Sequence, residues 1–382
     1  MRYEEEKRFS LKKICMYGQK KLNREGGVEV VVTELATRMV NLGYEVTCIN
    51  RGGHHVGGQE FDDKKIKEYK GIRIKYAPTL DVRGIAAMVS SICASFMAAF
   101  GQYDVVHIHA EGPALMCWLP RLFGKKVIVT IHGLDHQREK WGKLAVLYIL
   151  LGEKSAVKFA NEIIVLSVDV QNYFTRVYGR TTKFIPNGVN RVENRPAQII
   201  TEKWGLEKDG YILYLGRIVP EKGERYLIEA FKKLKTPKKL VIAGGSSDTE
   251  DFLNELKNMA AGNKQIIFTG FIQGQALEEM YSNSYIYVLP SDLEGMPLSL
   301  LEAMSYGNCC VTSDIPECVA VVEDRGVIFQ KSNTEDLKSK LQWLCDNPLI
   351  VQEYKEHAED FILKKYKWDQ IVSKTLEVYN CK

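Results

Sequence analysis

Residues 186–198 read PNGVNRVENRPAQ. Two prolines, a glycine and scattered asparagines leave no room for a helical or strand period, so this stretch reads as a linker. On either side of it the chain repeats one pattern. Upstream, short β-rich runs fall at 13–17, 45–50, 72–76, 105–109, 126–132, 162–167 and 182–185. Downstream they fall at 211–215, 239–243, 265–269, 285–289, 309–312 and 326–329. Most are near-continuous Val/Ile runs, the mark of parallel strands covered on both faces. Helical patterns separate most of them, the βαβ signature, and it occurs twice. The expectation is an α/β protein of two doubly wound, Rossmann-like domains, residues 1–190 and 191–363. A last amphipathic segment, roughly 351–379, reads as one helix packing across both domains. Residues 364–382 are assigned to its return to the first domain. Open sheets of this kind bind ligands beyond the carboxyl ends of their strands, and two facing sheets would make a cleft.

The composition narrows the function. The chain has 382 residues, 45% apolar and 26% charged, with a net charge of +4 and no Lys/Arg block, which argues against nucleic-acid binding. Nine scattered cysteines without a CxxC pair read as reduced thiols of a cytoplasmic protein. The charged start, MRYEEEKRFSLKK, does not read as a signal peptide. The longest apolar stretches, 85–100 and 145–151, are too short or too broken by polar residues to span a bilayer.

Three stretches point to anion and sugar chemistry. EGGVEVVVTELATRMVNLG follows the first strand, with Val28, Val31, Val32, Leu35, Met39 and Leu42 on one helical face. Gly26 and Gly27 open that helix, where free N–H groups and the helix dipole attract anions. A plain strand-to-helix turn explains the pair equally well. YLGRIVPEKG (214–223) places Arg217 and Lys222 on the loop after the first strand of the second half, a forked and a point cation suited to a diphosphate; two solvated surface charges is the plainer alternative, and the position at a strand's carboxyl end favours function. SDLEGMPLSLLEAMSYG (291–307) sets Glu294 at a strand exit and Glu302 on an otherwise apolar helix. Pro297 suits that helix's first turn. A carboxylate among such residues costs roughly several kcal/mol to bury unless partnered, and the vicinal hydroxyls of a ribose are suitable donors. Glu294 could accept from sugar hydroxyls, beside the backbone N–H groups of Gly295 and Met296. An ordinary ion pair for Glu302 and a surface position for Glu294 each remain reasonable singly. Both together, beside Gly-Met-Pro, make the functional reading the better one.

EGMPLSLLEAMSYG resembles the E-x7-E signature of the retaining family 4 glycosyltransferases of the two-domain GT-B fold. GGVE, PNGV (186–189) and GRIVPEKG resemble further motifs of that family, in the same order. HIHAEGPAL, VTIHGLDHQREKWGK and GEKSAVKFANEIIVLS are similar to the bacterial branch that includes rhamnosyltransferases of cell-surface polysaccharide assembly. The resemblance implies a transferase moving rhamnose or a hexose, with retention, from a dTDP-, UDP- or GDP-linked donor to a glycan or lipid-linked acceptor. It implies no metal and no cofactor, and the chain contains no Asp-x-Asp. Carried over residue by residue, Glu294 holds donor-sugar hydroxyls and Glu302 the ribose. Arg217 and Lys222 grip the diphosphate, and Gly26 and Gly27 approach it from the other domain. His132, in IHG at a strand end, sits near the sugar. Asn187, Gly295, Met296 and Leu298 complete the donor site. The basic loop Gln19–Glu25 leaves the acceptor side open.

Other residues carry weaker signals. His107 reads as a core or rim histidine. His109 and Glu111 fit either the acceptor side or a structural role. Asp135 either orients an acceptor hydroxyl or caps a helix. His132 and His136, four apart, would fit a metal only on a helix, and no further ligands lie near. The segment WGKLAVLYILLGEKSAVKF (141–159) could rest peripherally on the inner face of an anionic membrane, but a core helix with a solvated lysine edge is the stronger reading. Two rival functions remain: a nucleotide-sugar-binding protein without turnover, and a nucleotide-sugar-modifying enzyme, against which stands the lack of a GxGxxG turn.

Overall fold

The structure is a computed structural model describing residues 12–22, 26–53, 65–80, 82, 85–138, 141–245 and 250–381. Residues 1–11, and 23–25 of the basic loop, lie outside the described residues. The chain forms two compact units, Met1–Asn187 with Trp368–Lys382, and Gly188–Lys367. Composition placed the boundaries at 190 and 363.

The first unit is built on an eight-stranded sheet. Its strands are β1 (Lys13–Tyr17), β2 (Glu45–Arg51), β3 (Glu68–Tyr69), β4 (Ile72–Ala77), β5 (Val105–His109), β6 (Lys126–Ile131), β7 (Glu162–Val165) and β8 (Lys183–Phe184). Their order is β3-β4-β2-β1-β5-β6-β7-β8, parallel throughout except for the β3–β4 pair. Successive residues of the central strands are fully buried, Ile14 to Met16 on β1 among them, because helices cover both faces. The helix Gly27–Asn41 buries Val31, Val32, Leu35 and Met39 as its period requires. Leu42 lies past the helix end and is exposed, Val28 is half-buried, and Glu29 is buried in the first turn.

The second unit carries β9 (Tyr211–Leu215), β10 (Lys239–Ala243), β11 (Ile266–Gly270), β12 (Ile286–Leu289), β13 (Cys309–Ser313) and β14 (Val327–Phe329). They form a parallel sheet ordered β11-β10-β9-β12-β13-β14. β9 and β12 are neighbours at the point where the strand order reverses, so their carboxyl ends diverge around a crevice. The two loops leaving these strands carry Arg217, Lys222 and Glu294.

The single long helix expected near the C-terminus is two helices, Pro348–Lys365 and Trp368–Asn380. Between them Lys367 bridges to Val189, whose amide donates to the Tyr366 carbonyl at 2.7 Å. That extended pairing cannot be made by helical backbone, so the helix stops there. The second of these helices belongs to the first unit, where Arg38 reaches Asp369 at 3.1 Å.

Candidate active site

In the second unit the β9 exit leads to Gly216 and Arg217, then to a short 3-10 turn, Pro220–Lys222. Gly223 follows with φ +75°, and a side chain there would place its Cβ 2.0 Å from the Pro290 carbonyl oxygen. Only glycine permits this approach, which brings the Lys222 loop onto the β12 exit. The Asp292 amide donates to the Glu221 carbonyl at 2.8 Å and ties the two loops together.

The approach joins two of the residues singled out in the sequence. Lys222 Nζ lies 2.5 Å from Glu294 Oε1, and Ser291 Oγ donates to the same oxygen at 2.7 Å. The Lys222 and Glu294 side chains are 12% and 8% exposed, so this is a largely desolvated pair held by a third group. Arg217 is exposed, and its guanidinium makes no ion pair with any described residue. One cation is thus held in place and another is open at the same strand end.

Backbone position at Arg217 is set from below. Tyr214, wholly buried on β9, has its hydroxyl 2.9 Å from the Arg217 carbonyl and 2.8 Å from Glu224 Oε1. A phenol has one proton and cannot donate to both. The chain of bonds closes when Glu224 is protonated, donating to Tyr214, which donates to Arg217. Burial pushes the Glu224 carboxyl up to about 8, so it holds that proton at neutral pH. Neither Tyr214 nor Glu224 was singled out in the sequence. An acid opening a helix reads there as a favourable dipole partner, and burial alone makes it a hydrogen-bond donor.

Glu302 lies on the helix Leu298–Ser305, half-buried, where Tyr281 donates to its Oε2 at 3.1 Å. Tyr281 stacks on Tyr306 with ring centroids 5.2 Å apart. Pro297 stands just before the helix rather than in its first turn. Leu298 packs on the core, Gly295 is buried and Met296 is half-buried. Asn187, buried, closes the first unit.

In the first unit, Gly26 and Gly27 follow β1, His109 ends β5 with Glu111 just beyond it, and His132 follows β6; the three strands are adjacent. Gly27 begins its helix, and the buried Glu29 carboxylate sits beside Gly26 while accepting the Lys20 amide at 2.8 Å. A carboxylate of the chain itself therefore already lies at the helix end read as an anion site. His109 Nδ1 and His132 Nε2 are 3.0 Å apart. His107 bonds Tyr379 Oη and Thr130 Oγ1, each at 2.6 Å, and is a core histidine. Burial holds all three imidazoles neutral: His107 falls to about 3, His132 to about 4, and His109 well below its ordinary value. No helix carries His132 and His136 four apart: His136 lies in a 3-10 turn, Asp135–Gln137, and His132 stands before it. The Nδ1 of His136 lies instead 3.5 Å from Glu153.

Glu111 is fully buried, and its Oε1 accepts the Asp135 amide at 3.1 Å. Burial, with Asp135 and Glu153 nearby, raises its carboxyl well above the ordinary range. The Asp135 carboxylate pairs with Arg138 at 2.7 Å and caps no helix. Glu153 accepts hydroxyls from Tyr173 at 2.9 Å and Tyr178 at 2.5 Å, deep beneath the same turn. Gly152 makes this possible, since a Cβ there would lie 2.0 Å from the Glu111 carbonyl oxygen. Sequence reading missed Glu153, Tyr173 and Tyr178, which lie on two helices whose contact no local pattern reveals.

Two parallel α/β units carrying acidic and basic loops at their strand ends define the class, a GT-B glycosyltransferase. The family model described as glycosyl transferases group 1 matches residues 197–368, and that of glycosyltransferase family 4 matches residues 25–193. The chain belongs to the family 4 glycosyltransferases. It is 25% identical to an uncharacterized glycosyltransferase of Methanocaldococcus jannaschii, over 93% of this chain and 94% of that one. It is 26% identical to the UDP-Gal:alpha-D-GlcNAc-diphosphoundecaprenol alpha-1,3-galactosyltransferase of Escherichia coli, over 73% of this chain and 76% of that one. Among solved structures, HepE of Anabaena, determined with UDP and glucose, superposes with a TM-score of 0.81 at 16% identity, over 96% of this chain and 99% of that one. The chain is thus a glycosyltransferase.

Proposed function

We propose that the enzyme transfers rhamnose or a hexose from a nucleoside diphosphate donor, with retention of configuration, to a glycan or lipid-linked acceptor of cell-surface polysaccharide synthesis. The observation that carries this reading is the Lys222–Glu294 pair at 2.5 Å beside the open Arg217. Breaking a glycosyl–phosphate bond leaves a cation-like sugar and a diphosphate of growing negative charge. Cations already in place where water is excluded stabilise that charge without reorganisation. Arg217 supplies the fork for phosphate oxygens and Lys222 the point charge. Glu294, its Oε1 engaged by Lys222 and Ser291, presents its other oxygen to sugar hydroxyls. Glu302 accepts from the ribose, with Tyr281 fixing its orientation.

In this reading the leaving phosphate takes the acceptor proton, and no metal or cofactor takes part. His109, Glu111, His132 and Asp135 belong to the sugar and acceptor side. Their neutral imidazoles, and the Glu111 carboxyl that burial raises well above the ordinary range, suit hydroxyl recognition more than charge stabilisation. The test is calorimetric binding of a panel of UDP-, dTDP- and GDP-sugars, with and without chelator, then mass spectrometry and NMR of products formed on lipid-linked acceptors. A product of inverted configuration, loss of turnover with chelator, or rapid sugar release without acceptor would each overturn part of the reading.

A further inference from the structure

The carboxyl ends of β5 and β6 bring three imidazoles into a row. His107 and His109 stand two apart on β5 and so share one face of the strand, with ring centroids 4.2 Å apart. The His109 and His132 centroids are 5.3 Å apart. The row is anchored at its inner end. His107 has both nitrogens engaged, by Tyr379 of the C-terminal helix and by Thr130 of β6, and packs against the His109 ring. His109 is fully buried and has one nitrogen engaged, Nδ1 with His132 Nε2 at 3.0 Å. Its other nitrogen, Nε2, meets no hydrogen-bonding atom of the protein. His107 cannot serve it, since both nitrogens of that ring are taken. His132 is half-buried, and the contact with His109 is its one hydrogen bond among the described residues. Its Nδ1 is the nitrogen left open.

A neutral imidazole carries one N–H, so the bond between His109 and His132 runs in one of two directions. If His132 donates, His109 accepts at Nδ1 and carries its own proton on the buried Nε2. That N–H then has no acceptor, and a buried donor left unmade costs its whole desolvation. If His109 donates, its Nε2 holds only a lone pair, and unpaired acceptors are the commoner exception in protein interiors. His132 then accepts at Nε2 and carries its proton on the open Nδ1. The charged groups beside His132, Asp135 and Arg138, are paired with each other at 2.7 Å and leave the choice to the buried nitrogen. We infer that His109 is a positioning residue, which donates from Nδ1 to His132 Nε2 and so makes His132 present an N–H, not a lone pair, to the substrate. The partner this selects is an accepting oxygen of the nucleotide-sugar. A ring whose open nitrogen already bears a proton does not take the acceptor's, in keeping with the phosphate route proposed above. The inference rests on the reading of His132 as a sugar-side residue and gives that residue its polarity.

The test uses the full chain with isotope-labelled histidine at neutral pH. Long-range proton–nitrogen correlation spectra tell which nitrogen of each ring carries the proton. His132 is identified by the signals lost in His132→Asn, and His109 by those lost in His109→Asn. The Nδ1–H form is expected for both residues in the wild type. In His109→Leu, His132 should lose this bias and turnover should fall at least about tenfold, while affinity for the free nucleoside diphosphate, which lacks the sugar, stays within about twofold by calorimetry. His109→Asn places an amide nitrogen near the position of Nδ1. It should restore the Nδ1–H form of His132 and recover turnover at least about fivefold over His109→Leu. At His132 itself asparagine should retain more turnover than glutamine, because its amide lies near the place of Nδ1 and that of glutamine near Nε2. Melting temperatures establish that each variant is folded. An Nε2–H form of either residue in the wild type, or a His109→Leu variant in which the His132 form and turnover are unchanged, would overturn the inference. Normal turnover in His132→Ala would instead remove His132 from the sugar side, and the wild-type spectra would still decide where the proton lies.

Discussion

Replacing Glu224 by glutamine tests the proton assigned to it. Glutamine keeps the shape and can donate to Tyr214, but it does not titrate. In the native chain the carboxyl ionises near pH 8, against an ordinary value of 4.5. Between those values the native state holds a proton that the unfolded chain has released. Stability is therefore greatest toward the acid end of this window and is lost as pH rises toward 8, by about 1.4 kcal/mol per pH unit, levelling off above it. From pH 6.0 to 8.5 the loss comes to about 2.5 kcal/mol, or about 5–10 °C in the melting temperature of a unit this size. The glutamine variant lacks this contribution, while the buried histidines and cysteines contribute alike to both proteins. The prediction is that the variant gains on the wild type by that amount across the range, read as the difference between two melting curves at each pH. A difference that stays constant within about 1 °C would refute both the buried proton and the hydrogen-bond chain from Glu224 through Tyr214 to Arg217.

Arg217→Ala is predicted to lower turnover at least a hundredfold, on the order of 3 kcal/mol of barrier, while the melting temperature holds, because the side chain is exposed. Normal turnover in the purified variant would remove Arg217 from the site. Lys222→Met strands the Glu294 carboxylate and should destabilise the second unit by about 3 kcal/mol, whereas Lys222→Met with Glu294→Gln should recover much of that loss yet remain inactive. Urea unfolding and a turnover assay separate the two effects. Glu302→Gln is expected to weaken binding of the free nucleoside diphosphate about tenfold by calorimetry, and unchanged affinity would reassign Glu302 to structure. In the first unit, His107 has its value lowered to about 3 by burial, so stability is present above the ordinary 6.5 and lost as pH falls below it. His107→Gln should remove about 2 kcal/mol of that acid sensitivity between pH 6.5 and 4.5, measured by unfolding of both proteins.

The sequence by itself determined the two βαβ series and the break between them, because buried parallel strands must be near-continuous apolar runs and a polar, proline-bearing linker cannot be either element. It also singled out Arg217, Lys222 and Glu294 on loops after apolar strands and Glu302 on an apolar helix, since charged residues punctuating apolar segments are local facts of spacing. Tertiary structure alone decided which of these meet. Gly223 lets the loop after β9 rest on the Pro290 carbonyl, and only then do Lys222 and Glu294 come within 2.5 Å. Structure likewise decided the break at Tyr366–Lys367, made by an isolated bridge to Val189, about 180 positions earlier in the chain. The protonated Glu224 and the Glu153 cluster were beyond sequence for the same reason. A carboxyl's charge state depends on the water it has lost, and burial is a property of the packed whole, not of any stretch of residues.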